Sequence, residues 1–177
     1  MSEHPHFLWK DPVIRDRTGN DSLIETLRNN ILFSTLNARE LRHLSYMVYE
    51  RVFQPNEFVF QEESRGFGMY IIARGKIEIR TGLPEPETLI TTLNAGSFFG
   101  ELALIDPDNV RTASAVALEK AVLIGFFKPD LIEIIGRKPA MGVKILLQLS
   151  KVLGRRLLET TEKITLMERT RRLQNTG

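Results

Sequence analysis

The sequence predicts an α+β protein in which an antiparallel β segment, a jelly-roll or a barrel, is flanked by helices. Residues 48–127 contain short runs rich in β-branched and aromatic residues, separated by turn signals. Apolar residues at helical spacing precede this segment, and a proline-free stretch from 140 to 174 follows it. We therefore expect three parts: an N-terminal arm (1–20), the β segment with flanking helices (21–137) and a long C-terminal helix (138–177).

Composition limits the classes of function. The 177 residues are 42% hydrophobic and 26% charged, as in a soluble globular domain. Cysteine is absent, no apolar run is long enough to span a membrane, and the N-terminus lacks a signal-peptide pattern, so a cytoplasmic protein is expected. The only histidines are His4, His6 and His43, too few for the histidine cluster of a metal-dependent jelly-roll enzyme. We expect neither a metal nor an enzymatic activity.

Charge is unevenly distributed. The net charge is +2, but residues 151–177 carry seven Lys or Arg against three Glu. The high isoelectric point is therefore a property of the tail, where cations suit the C-terminal end of a helix. Binding of DNA by this chain alone is not expected.

Two helices are predicted before the β segment. Ser22 and Glu25 have the spacing of a capping box and would begin a helix that runs to about Asn29. A second helix is predicted from Asn37 to about Tyr46. The residues expected to face inward from it are Leu41, Leu44 and either Tyr46 or Met47. Strands are predicted at residues 51–53, 58–60, 69–80, 88–93, 112–118 and 121–127, with a hairpin tip at 82–87.

Residues 97–114, called the cassette below, have the composition of an anion site. Gly100 allows close approach of the backbone, and the helix formers after it predict that a helix begins there with outward-pointing N–H groups. The turn signal at 106–109 would return the chain and bring Arg111 beside those groups, with the hydroxyl of Thr112 next to it. A guanidinium and free N–H groups at one point suit a phosphate.

Glu101 has a different predicted role. A carboxylate repels phosphate but accepts hydrogen bonds from sugar hydroxyls, so the combination favours a nucleotide with one phosphate and a free ribose hydroxyl. The same residues also fit a simpler alternative, an Arg111–Glu101 ion pair that closes the loop.

The cassette resembles the phosphate-binding cassette of cyclic nucleotide-binding domains, the family of catabolite activators, kinase regulatory subunits and gated channels. The matching residues are Phe99, Gly100, Glu101, Leu102, Ala103 and Leu104, followed by Arg111, Thr112, Ala113 and Ser114. The resemblance implies a β-roll fold. It also implies that Glu101 binds the ribose 2′-hydroxyl, that Arg111 binds the cyclic phosphate together with the Gly100–Ala103 backbone, and that Thr112 binds a phosphate oxygen.

A second segment of the family, residues 62–75, matches less completely. Gly66, Tyr70, Ile71, Ile72 and Gly75 agree with the family form, whereas Glu63 replaces Gly and Ser64 and Phe67 replace Asp. We expect an altered loop within an unchanged fold, with Gly66 and Gly75 at left-handed turn positions.

The C-terminal helix carries a coiled-coil-like stripe formed by Leu146, Leu153, Leu157, Ile164 and Met167. A helix of about 35 residues is roughly 50 Å long, more than one small domain can cover, so a parallel homodimer is expected. Thr160 interrupts the stripe, which alone fits a polar residue that sets the register. Residues 155–163 also resemble the helix of the family's catabolite activators, which implies that Thr160 and Thr161 contact adenine and favours cyclic AMP over cyclic GMP.

The predicted function is therefore a cyclic nucleotide receptor that couples binding to the position of a dimer helix and acts on an unidentified downstream protein. The alternative is a dimerisation or interaction module of the same fold that has lost its ligand. The family's transcription factors continue into a helix-turn-helix domain where this chain stops at Gly177. We therefore expect either a free-standing receptor domain or a shortened form of a transcription regulator.

Overall fold

The computed structural model describes residues 17–82, 88–106, 108 and 110–174. Most of the predicted arm and of the hairpin tip at 82–87 lies outside these residues, and the division into three parts stays a prediction. The described helices are α1 (Arg17–Asn29), α2 (Ala38–Ser45), α3 (Lys128–Arg137) and α4 (Pro139–Gln174), with 3₁₀ turns at Ile31–Phe33 and Glu101–Leu104. The strands are β1 (Tyr49–Phe53), β2 (Phe58–Phe60), β3 (Gly68–Arg74), β4 (Lys76–Thr81), β5 (Thr88–Asn94), β6 (Phe98–Phe99), β7 (Ser114–Ala117) and β8 (Ala121–Phe127).

The strands form two four-stranded antiparallel sheets in the orders β1-β8-β3-β6 and β2-β7-β4-β5. This arrangement confirms the predicted β-roll. The turn at Pro55 and Asn56 connects β1 to β2, but the two strands belong to different sheets and do not pair with each other.

Two groups of buried side chains hold the fold together. One fills the space between the sheets and includes Phe53, Tyr70, Ile77 and Phe99. The other joins the helices to the outer face of the first sheet, because alternate β3 and β8 side chains such as Ile71 point toward the helices. Burial of these apolar surfaces is the main force that brings the helices onto the roll.

The N-terminal helices differ in part from the prediction. Helix α1 begins at Arg17, so Ser22 lies inside the helix and the predicted start there is wrong. Helix α2 lies within the range predicted for the second helix, and its N-cap is Asn37, whose side chain accepts hydrogen bonds from the N–H groups of Arg39 and Glu40. Of the two candidates for its last inward residue, Tyr46 is 73% exposed and Met47 packs on the core.

Helix α4 has two unlike halves. Its first half packs on the body through the buried side chains Met141, Ile145 and Leu149, and Lys144 donates hydrogen bonds of 2.9 Å to both carboxylate oxygens of Glu40. From residue 154 onward, every side chain that the structure describes is exposed. The two halves meet beside the cassette.

Candidate functional site

The cassette, the second sheet and α4 enclose a cavity of about 320 Å³. This volume is at the lower end of the roughly 300–1,000 Å³ typical of small-molecule sites. The lining residues are Phe60, Ile79, Thr91, Leu93, Phe98, Phe99, Gly100, Glu101, Leu102, Ala103, Val110, Arg111, Thr112, Ala113 and Arg156. The cassette residues predicted to bind the ligand therefore border the same cavity, namely Gly100, Glu101, Leu102, Ala103, Arg111, Thr112 and Ala113.

Position 100 requires glycine for two reasons, its backbone conformation and the closeness of the Arg111 side chain. Its φ of 73° lies in the left-handed region, and a Cβ there would be 2.6 Å from Nη1 of Arg111. The predicted helix after it is a single 3₁₀ turn, with Ala103 N–H donating to the Gly100 carbonyl at 3.2 Å. The N–H groups of Glu101 and Leu102 precede that bond and can bind a ligand.

Arg111 is a buried cation that donates hydrogen bonds to neutral backbone carbonyls. It is 5% exposed, and its Nη1 and Nη2 donate to the carbonyls of Gly100 and Gly68 at 2.9 and 2.7 Å. It forms no ion pair with any carboxylate in the described part of the chain. Burial lowers the pKa of Arg111, although Tyr70 and Glu101 oppose this shift. The guanidinium stays charged, since its ordinary pKa is far above neutrality.

The loop before β3 holds the backbone of Arg111. The N–H of Glu63 donates to the Arg111 carbonyl at 2.8 Å, and the N–H of Arg111 donates to the Ser64 carbonyl at 2.9 Å. Because these bonds use only the backbone, the departures from the family form at Glu63 and Ser64 leave them in place. Glu63 itself adopts φ 64°, a conformation that glycine takes more easily.

The two glycines predicted at left-handed turns within residues 62–75, Gly66 and Gly75, serve different purposes. Gly75 has φ 87°, as predicted for a left-handed turn. The same prediction is wrong for Gly66, whose φ is not in the left-handed region. A Cβ on Gly66 would lie 2.3 Å from Nε of Arg111, so glycine makes room for the arginine at this position.

Glu101 pairs with an arginine from α4. It is buried, and its Oε1 accepts a hydrogen bond from Nη1 of Arg156, whose Nη2 also donates to the Phe98 carbonyl at 3.2 Å. The Arg156 guanidinium lies 4.8 Å from the centre of the Phe98 ring. The alternative in which Arg111 pairs with Glu101 is therefore wrong. Sequence reasoning missed Arg156, although it belongs to the 155–163 segment that resembles the family.

The remaining predicted residues divide into two groups. Thr112 is exposed at the cavity and Ala113 is buried beside it. Thr160 and Thr161 do not line the cavity of the single chain; both are exposed, and their hydroxyls donate to the carbonyls of Arg156 and Leu157 at 2.8 and 2.9 Å. Thr160 lies one helical turn beyond Arg156 and so on the same side of α4.

The described residues include no group of three or more His, Cys, Asp or Glu that is arranged to hold a metal ion. None of the described helices has the length and hydropathy to cross a bilayer. What the cavity offers is two guanidinium groups and free N–H donors for an anion, together with one buried carboxylate for a hydroxyl group.

The sequence is similar to those of proteins named for cyclic nucleotides. It is 30% identical over 142 residues to the cyclic AMP receptor protein of Thermus thermophilus, which covers 80% of this chain and 63% of that protein. It is 31% identical over 147 residues to the mouse cyclic nucleotide-gated channel beta-3, which covers 82% of this chain and 20% of the channel. The chain thus spans less than two thirds of either relative.

A solved structure is similar to this fold. The crystal structure of the Thermus thermophilus catabolite activator protein superposes with a TM-score of 0.69 at 30% identity, covering 78% of this chain and 63% of that one. The sequence profile of the cyclic nucleotide-binding domain matches residues 50–138, half of the chain, including the cassette and the loop before β3 that holds the backbone of Arg111. The chain belongs to the cyclic nucleotide-binding domain family.

Proposed function

We propose that the chain is a cyclic AMP receptor domain, without catalytic activity, that links its ligand to the position of α4. The observation that carries the proposal is Arg111, a buried cation at the wall of a cavity that also presents free backbone N–H groups and a buried carboxylate. The similar receptor from Thermus thermophilus is named for cyclic AMP, which supports the same ligand here.

In the proposed complex, the cyclic phosphate lies against the Gly100–Ala103 turn. Two of the five N–H donors of Arg111 bond to backbone carbonyls, which leaves donors for phosphate oxygens, and Thr112 adds a hydroxyl. The ribose 2′-hydroxyl donates to Glu101. Because Glu101 pairs with Arg156 in the free chain, the ligand arrives at the contact between the roll and α4.

The base then extends toward Thr160 and Thr161 on α4. Their hydroxyls serve adenine once a second chain packs beside the helix, so the complete site needs a parallel dimer. The ligand shifts the position of α4 only by the difference in its affinity for the two arrangements.

A thermal-shift titration of the whole chain with cyclic AMP, cyclic GMP and cyclic di-GMP tests the ligand, with 5′-AMP as the non-cyclic control. A ligand present at a hundred times its dissociation constant stabilises a protein by about 2.7 kcal/mol, a shift of several degrees for a chain of this size. We expect the largest shift with cyclic AMP and a smaller one with cyclic GMP. No shift with any of them would favour a dimerisation or interaction module without a ligand.

The dimer is tested on the exposed half of α4. Leu157 is 68% exposed in the stripe and Leu158 is 65% exposed beside it, so the two form a matched pair. Leu157→Glu should weaken self-association by at least about thirtyfold in sedimentation equilibrium, since two buried leucines are lost per dimer. Leu158→Glu should change it little. A monomeric wild-type chain, or equal effects of the two variants, would contradict a dimer through this stripe.

A further inference from the structure

Phe60 is the aromatic residue closest to the Arg111 guanidinium. The guanidinium carbon lies 4.0 Å from the centre of the Phe60 ring and 5.7 Å from that of Tyr70. The Phe60 ring is itself held by other rings, with centres 5.9 Å away in Tyr70 and 5.8 Å away in Phe99. Arg111 therefore rests on a fixed aromatic face.

This face matters because Arg111 forms no ion pair with a carboxylate among the described residues. Removing a charge from water is costly unless nearby groups replace the lost hydration. Two carbonyls bind the Nη atoms, while the buried Nε has no hydrogen-bond partner among the described atoms. Arg111 also borders a groove of about 490 Å³, and the described residues that line this groove include no Asp or Glu.

An aromatic face and a carboxylate hold an arginine with different consequences. A carboxylate beside Arg111 would neutralise the charge and compete with an incoming phosphate. A ring attracts the cation through its quadrupole, more strongly in a desolvated site, and leaves the full charge for the ligand.

We propose that Phe60 is a positioning residue, whose ring fixes the Arg111 guanidinium, still fully charged, at the wall of the cavity. Its predicted effect on affinity rests on the proposed cyclic nucleotide function, whereas its effect on Arg111 does not. The two can be separated by measuring the arginine directly.

The direct measurement is the ¹H–¹⁵N spectrum of the arginine side chains in the full chain without ligand. Protons above a ring face are shifted upfield, so the Arg111 signals, identified by their absence in Arg111→Lys, should be upfield in the wild type. Phe60→Leu should return them toward ordinary values, and Phe60→Tyr should keep them upfield. Calorimetry with cyclic AMP should give an affinity lowered about three- to tenfold for Phe60→Leu and restored in Phe60→Tyr.

Phe53→Leu is the matched control, because Phe53 is fully buried in the same core. Its ring also faces an arginine, since the guanidinium carbon of Arg51 lies 4.4 Å from the ring centre. Phe53→Leu should lower the melting temperature without moving the Arg111 signals or changing the affinity.

Unchanged Arg111 signals in Phe60→Leu would overturn the proposal. An equal loss of affinity from Phe60→Leu in the Arg111→Lys background would also overturn it, because the ring would then act on the nucleotide directly. If the wild type binds no cyclic nucleotide, the proposed function fails and the spectra alone decide this inference.

Discussion

The β-roll forms one wall of the cavity, the roll wall, and α4 forms another, the helix wall. Each wall presents one arginine, and the two arginines are held in different ways. On the roll wall, Arg111 is 5% exposed and bonded to backbone carbonyls of two strand-end glycines. On the helix wall, the side chain of Arg156 is 44% exposed and is held by Glu101 and the Phe98 carbonyl. The first contact is built into the fold, whereas the second depends on where α4 lies.

This difference assigns the two walls different tasks. A cation fixed by backbone atoms is ready for an anion without rearrangement, which reduces the ordering cost of binding. The ion pair on the helix wall joins two elements, and its arginine is half-exposed, so Arg156 can exchange Glu101 for contacts with a ligand. The roll wall should therefore set most of the affinity, and the helix wall should report binding to α4.

Breaking the roll wall at Gly66 should have a larger effect than breaking the helix wall. The Cβ added by Gly66→Ala would lie 2.3 Å from Nε of Arg111, and the guanidinium would have to leave its place. Loss of charged hydrogen bonds to the phosphate should lower the affinity for cyclic AMP by roughly 10- to 100-fold in calorimetry. Gly154→Ala is the control, since no atom of the described residues lies within 4 Å of its added Cβ. Equal affinities for the two variants would show that Arg111 does not need this space.

A smaller effect is expected from breaking the helix wall. Arg156→Ala removes a half-exposed cation, so the affinity should fall only about three- to tenfold, and less at high salt. The neighbouring exposed residue Arg155 does not line the cavity, and Arg155→Ala should leave the affinity unchanged. A loss from Arg156→Ala as large as that from Gly66→Ala would remove the distinction between the walls.

The cassette could be predicted from sequence because its function depends on local spacing. Gly100, Glu101 and Arg111 are brought together by one short turn and one return of the chain, so a continuous pattern contains the site. Arg156 could not be found in this way, because its contact with Glu101 joins residues 55 positions apart and depends on the path of α4. The segment 155–163, which resembles the family, includes Arg156, but the resemblance gave no reason to select this residue.

Three further differences between the prediction and the structure have identifiable physical causes. The capping pattern at Ser22 failed because α1 continues upstream to Arg17, and the packing of Leu23 and Leu27 on the core stabilises the helix regardless of a cap there. Gly66 was correctly singled out, but for the wrong reason: the side chain that needs its space lies 45 positions later in the chain. Strand β6 is only two residues long, too short for an alternating pattern to predict it.

The most direct test of the account is calorimetry of cyclic AMP binding to the wild type and to Arg111→Ala, with Arg65→Ala as the control. Arg65 is an exposed arginine of the loop that holds Arg111, and it does not line the cavity. The account predicts a loss of about 100-fold or more for Arg111→Ala, because a buried phosphate would then have no cation on the roll wall, and no change for Arg65→Ala. An unchanged affinity in Arg111→Ala, with the protein still folded, would contradict the proposed site.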